Sequence, residues 1–142
     1  MLMARAAGRI HGHFLAGEVG EMAGVSGNTI GQWARWGYIR ASRSDGEPHV
    51  YSVEDVAEAA IVRALLARGV RHKDVRRAIE RLARSDYGDW PLSEAALATT
   101  AEGRPRIVLR DNGDVYALAD RGWQLMTAPP RLEDVRLRLN HR

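Results

Sequence analysis

Apolar positions recur at helical spacing in four places before residue 85 and switch to alternation after residue 105. Val19, Met22 and Ala23 share one side of a short predicted helix that stops at Gly24, where a left-handed backbone costs least. Ser26 can cap a second helix, whose buried stripe is Ile30, Trp33 and Ala34 and whose end is at Gly37. Ser52, with Asp55 three positions on, forms a capping-box-like start to a third helix. Its stripe runs through Val53, Val56, Ala57, Ala60, Ile61, Ala64 and Leu65 to Gly69. A fourth helix from about His72 to Arg84 buries Val75, Ala78, Ile79 and Leu82, with Arg76, Arg77, Arg81 and Arg84 on its outer sides, solvated or paired with Asp74 and Glu80.

Between the second and third helices, residues 39–52 place Asp45-Gly46 amid short β-prone pieces, a hairpin signal. After residue 85 the helical pattern breaks at Gly88 and Pro91. Ile107 and Leu109 then alternate with Val115 and Ala117 around the turn Asp111-Asn112-Gly113-Asp114, which predicts a β-hairpin. A last stretch sets Leu132, Val135 and Leu139 on one helical face. Trp90, Trp123 and this stripe can form a small second core or a subunit interface, or pack back onto the first domain. Residues 1–13 show no periodic pattern and read as a mobile tail. The expected organisation is that tail, a domain over 14–84 and a region over 85–142. The expected class is mainly α, with a small α+β C-terminal part carrying the hairpin.

Two helices as short as the first pair, joined by a three-to-four-residue turn containing Gly, meet at a steep angle. That is helix-turn-helix geometry, and its second helix is the one that enters a major groove. The face of that helix opposite Ile30 and Trp33 carries Asn28, Gly31, Gln32 and Arg35. Asn and Gln can make paired donor and acceptor contacts with adenine, and Arg can do so with guanine or clamp a phosphate. Gly31 inside a helix costs about 0.5–1 kcal/mol relative to Ala, which close approach of a DNA strand would explain. Taken singly, each of these polar residues can equally be a solvated surface position.

The stretch GEVGEMAGVSGNTIGQWARWGYIRAS followed by HVYSVEDVAEAAIVRALLARGVRHKDVRRAIERL resembles the DNA-binding domain of the MerR family of transcriptional regulators, over about residues 15–84. The resemblance rests on the ordered set of a GE opening, an AGVS turn, the TI pair that includes Thr29, a G-aromatic-I helix end, and the VYSVEDV and RGV elements. It implies a winged helix-turn-helix, with the Asp45-Gly46 hairpin as a wing along the DNA backbone. It also implies phosphate contacts from Arg40, Arg43 and Tyr51, with His49 on the same wing. Tyr51 can instead pack its ring against the third helix, or do both. The family implies a dimer on a near-palindromic promoter site that bends or untwists DNA. Its usual long coiled-coil helix after the domain has no counterpart in the broken pattern around Gly88 and Pro91.

Charge follows the same division. The chain carries a formal +3, and residues 1–84 hold thirteen Arg or Lys against nine acids, whereas residues 85–142 hold eight against nine. The basic excess sits with the helix-turn-helix. Arg outnumbers Lys twenty to one, which suggests a GC-rich bacterial genome. The absence of Cys excludes disulfides, thiolate zinc sites and thiol-based sensing. The five His make no ligand-spaced set, and His11 and His13 make a weak metal site at best. No run approaches a membrane span and the N-terminus lacks a secretory pattern, so a cytoplasmic protein is expected.

Scattered carboxylates and the lack of any phosphate-cradling glycine motif leave an enzyme the least supported class, and no cofactor or metal is implied. The expected function is sequence-specific binding of double-stranded DNA in transcription regulation, as a homodimer through residues 85–142. The alternative is a protein-interaction module, such as an antitoxin-like partner, whose C-terminal region grips another protein and whose DNA binding is autoregulatory.

Overall fold

A computed structural model of the 142-residue chain describes residues 14–39, 50–85, 87 and 91–135. These divide into two compact units that part between Arg63 and Ala64, inside a helix. The expected wing, with Asp45-Gly46, lies outside the described residues, as do the first thirteen residues, Trp90 and Leu139.

The first unit begins with Phe14, whose backbone pairs with that of Tyr51 in an antiparallel bridge with N···O distances of 3.1 and 2.8 Å. Helix α1 spans Ala16–Ala23, and its first turn is closed by the Leu15 N–H donating to the Glu18 carboxylate at 2.8 Å. Gly24 ends it with φ +88°, and the N–H groups of Gly24 and Val25 both donate to the Gly20 carbonyl. Ser26 then caps α2, Gly27–Arg35, by accepting the Thr29 N–H on its Oγ at 3.0 Å.

Val19 and Ala23 of α1 are buried, as are Ile30 and Trp33 of α2. The chain leaves α2 through Gly37, at φ +82°, and buries Tyr38 and Ile39; the Tyr38 ring meets Trp36 edge-on at 5.6 Å and Trp33 at 6.4 Å. Gly20 has a role that periodicity does not disclose. A Cβ there would lie 2.5 Å from the Val25 carbonyl oxygen and 2.9 Å from the Ser26 carbonyl carbon, so the turn can fold over α1 only because position 20 has no side chain.

Helix α3, Val53–Ala67, starts with a reciprocal capping box that is fully buried. Ser52 N–H donates to Asp55 Oδ2 at 2.8 Å, and Asp55 N–H donates to Ser52 Oγ at 3.1 Å. The expected stripe holds for Val56, Ala60, Ile61 and Leu65, but Val53 at the first helical position is 47 % exposed and lies beyond its end. Ala59 and Val62, outside that stripe, are fully buried, so α3 is covered around much of its circumference. In the first unit Arg63 turns back from α3, and its Nε donates to the Gly24 carbonyl at 3.2 Å, bracing the helix-turn-helix turn.

In the second unit Gly69, at φ +94°, closes α3. Helix α4, His72–Ala83, then buries Val75, Ala78 and Leu82, as its spacing predicts, whereas Ile79, expected with them, is only half-buried. After the four-residue helix α5, Pro91–Glu94, come five antiparallel strands: β1 Ala96–Thr100, β2 Ile107–Asp111, β3 Asp114–Ala119, β4 Gly122–Leu125 and β5 Leu132–Asp134. They are ordered β4-β3-β2-β1-β5. The class is therefore a helical N-terminal domain plus a five-stranded sheet, not mainly α, and the expected hairpin is only the β2–β3 pair at its centre.

That pair turns at Asn112 and Gly113, with φ of 52° and 85°, the two left-handed residues of a two-residue hairpin loop. Strand β1 escapes the alternation test because both faces are covered: Leu97 and Thr99 are buried on one, Ala98 and Thr100 on the other. The stretch expected to be helical around Leu132 is instead β5, paired Ala98↔Asp134, Thr99↔Glu133 and Thr100↔Leu132. Three residues bound to the free side of β1 outweigh a helical spacing that has no capping behind it.

Arginines fasten this sheet. Arg68 donates to the Glu133 and Asp134 carbonyls, each at 2.8 Å, and to Thr99 Oγ1 at 3.0 Å. Arg81 of α4 donates to the carbonyls of Ala119, Asp120 and Gly122 around the β3–β4 turn. Arg81 is thus committed to backbone rather than solvated or paired with a carboxylate. Arg77 does meet Asp74, at 3.8 Å, and also Asp120 at 3.3 Å.

Candidate nucleic-acid interface

Ser26 sets the phase of α2. With Ile30 and Trp33 turned inward, Asn28, Gln32 and Arg35 are exposed and Thr29 and Gly31 half-buried. Thr29 contributes to the cap as well as to the face, since its Oγ1 lies 2.9 Å from Ser26 Oγ. These residues line a shallow cleft of about 710 Å³ whose other wall is formed by Leu15, Ala16, Gly17 and Tyr51. Among the described residues Arg35 is the one charged residue lining it, and no carboxylate among them lines the cleft.

Gly31 is open to this cleft. A Cβ at position 31 would meet nothing nearer than the Arg35 guanidinium at 3.6 Å. The packing of the described residues thus does not require glycine at position 31, in contrast to Gly20. Gly27 is different again, because its Cβ would come within 3.1 Å of the Gly17 backbone where α1 and α2 cross.

Tyr51 is 1 % exposed, held by the Phe14 bridge, and reaches the cleft only as part of its wall. Arg40, Arg43 and His49 lie outside the described residues. Of the eight sequence candidates, the structure therefore brings Asn28, Thr29, Gln32, Arg35 and Tyr51 around one cleft. Sequence reading passes over Leu15, 45 % exposed at the cleft's rim, and the supports Gly20 and Arg63. The Gly17, Gly20, Gly24 and Gly27 spacing is the available signal for the glycine contacts. Nothing local to Arg63 announces its partner thirty-nine residues away.

Among the described residues no group of three or more His, Cys, Asp or Glu is placed to hold a metal ion, and no helix is long and apolar enough to cross a membrane. Comparison with curated proteins and with solved structures yields no match. The family described as MerR HTH family regulatory protein matches residues 14–82, which span the bridge, the capped α2, α3 and nearly all of α4. The chain thus carries, over residues 14–82, a helix-turn-helix domain of the MerR family.

Proposed function

We propose that this chain is a sequence-specific DNA-binding regulator of transcription that acts without catalysis, as a homodimer on a near-palindromic promoter site. The observation that carries the reading is the outer face of α2. Three side chains with base-reading chemistry, Asn28, Gln32 and Arg35, stand exposed around a glycine that the fold itself does not need. In this reading α2 enters the major groove, and Asn28, Gln32 and Arg35 reach base edges. Thr29 orders the end of α2 that meets DNA. Arg40, Arg43 and His49 supply contacts to the DNA backbone, together with Tyr51 at the cleft beside α2. Residues 14–84 act as the DNA-binding module and residues 85–142 couple the two copies.

Selection of fragments bound from the native genome yields an operator, and that operator tests the reading. Gln32→Ala should relax preference at one position per half-site, since an unpaired base edge is worth about 1–3 kcal/mol of discrimination. Its melting temperature and its binding to random DNA should stay close to those of the parent. Equal losses on operator, single-base variant and random DNA would reject base reading by Gln32.

A further inference from the structure

The two edges of the sheet are unlike. At β5 the outer strand is three residues long, carries Glu133 and Asp134, and has its Asp134 carbonyl taken by Arg68. At β4 the sequence Gly-Trp-Gln-Leu has no charge and no proline, the devices that ordinarily blunt an edge.

The register decides which β4 groups are free. Strands β3 and β4 pair Ala117↔Gln124 and Ala119↔Gly122, and Met126 N–H donates to the Val115 carbonyl at 2.8 Å, which makes these the hydrogen-bonded pairs of the ladder. Gly122, Gln124 and Met126 therefore direct their backbone groups at β3, while Trp123 and Leu125 direct theirs outward. Among the described residues those outward groups meet no partner. Two donors and two acceptors thus stand symmetrically about Gln124, and such a set is its own complement when turned by a two-fold axis.

From this geometry we propose that two copies of the chain join through antiparallel pairing of their β4 edges about Gln124, merging two five-stranded sheets into one of ten strands. The proposal rests on the homodimer reading above and names its surface. Trp123 of each copy stands opposite Leu125 of the other, making four interchain hydrogen bonds. On the same sheet face Leu125, 51 % exposed in the single chain, covers the other copy's Trp123. The two Gln124 residues face each other as a non-hydrogen-bonded pair, whose Cα atoms are about 4.5 Å apart.

The chain has no cysteine, so one introduced thiol reports this contact cleanly. Gln124→Cys should form a covalent dimer under mild oxidation, since that spacing lies within disulfide reach. Asp114→Cys, at the exposed start of β3, should not. Leu125→Pro removes only an outward N–H, which an edge strand tolerates. It should leave the circular dichroism unchanged while weakening the dimer by about tenfold or more in sedimentation, because two of four bonds are lost. A parent chain that sediments as a monomer would overturn both this surface and the homodimer. A stable dimer whose Gln124→Cys variant crosslinks no better than the Asp114→Cys control, and which does not respond to Leu125→Pro, would overturn this surface alone. Should Leu125→Pro fail to fold, the crosslink comparison decides.

Discussion

Gly20 and Gly31 are both glycines inside helices, yet the atoms around them ask opposite things. At Gly20 a methyl group would sit 2.5 Å from the Val25 carbonyl oxygen, and the obstruction is backbone that cannot swing aside. Gly20→Ala should therefore destabilise the domain by about 1–3 kcal/mol, read as a lower midpoint in urea. At Gly31 the same methyl group meets only the mobile end of the Arg35 side chain, at an ordinary van der Waals distance of 3.6 Å, so Gly31→Ala should raise the urea midpoint, by about 0.5–1 kcal/mol in stability. If α2 lies in a major groove, that more stable protein should bind operator less well. A variant that binds as tightly as the parent would mean that no strand comes near position 31.

At the scale of elements, what could be read from sequence was what is decided within a few residues. Gly24, the Ser26 cap and the Ser52–Asp55 box each involve partners at most four positions apart, and their chemistry is written in the residues themselves. The exposed face of α2 follows directly, because the cap fixes the phase and the stripe fixes the inward side. Strands β1 and β5 were not legible. The first is buried on both faces and so lost its alternation, and the second has no identity apart from the strand it pairs with. The same holds for Arg81, whose three carbonyl partners lie about forty residues further on. Arg81→Ala should cost about 1–3 kcal/mol, since those carbonyls lose charge-assisted donors. Arg77→Ala, which removes pairings with the partly exposed Asp74 and the exposed Asp120, should cost under about 1 kcal/mol in the same melts.

Over the whole molecule, the boundary of compactness and the boundary of the family differ. The MerR match runs to residue 82, whereas the chain from Ala64 onward, α4 included, forms one compact unit with the sheet. Helix α4 owes to that unit the partners of Arg81 and Arg77. A chain ended at residue 84 should keep slow amide exchange in α1 and α2 but lose much of it in α4. Full protection of α4 in that fragment would show that residues 14–84 are self-sufficient. Loss of protection in α1 and α2 as well would show that the first unit needs the second.

The Phe14–Tyr51 bridge makes everything between those residues a closed loop, fastened at its base by two hydrogen bonds. Closure entropy rises only slowly with length, about 0.6 kcal/mol for each doubling. Residues added between positions 40 and 49 therefore lengthen a loop whose ends are already joined, and they leave the capping box that starts α3 where it is. By chain entropy alone, residues added there should cost far less than any change in the Gly20–Ser26 turn, where a single methyl group is too much. Length variation in this stretch is thus the low-penalty route by which descendants of this protein could change their reach along a binding partner without rebuilding the domain that holds it.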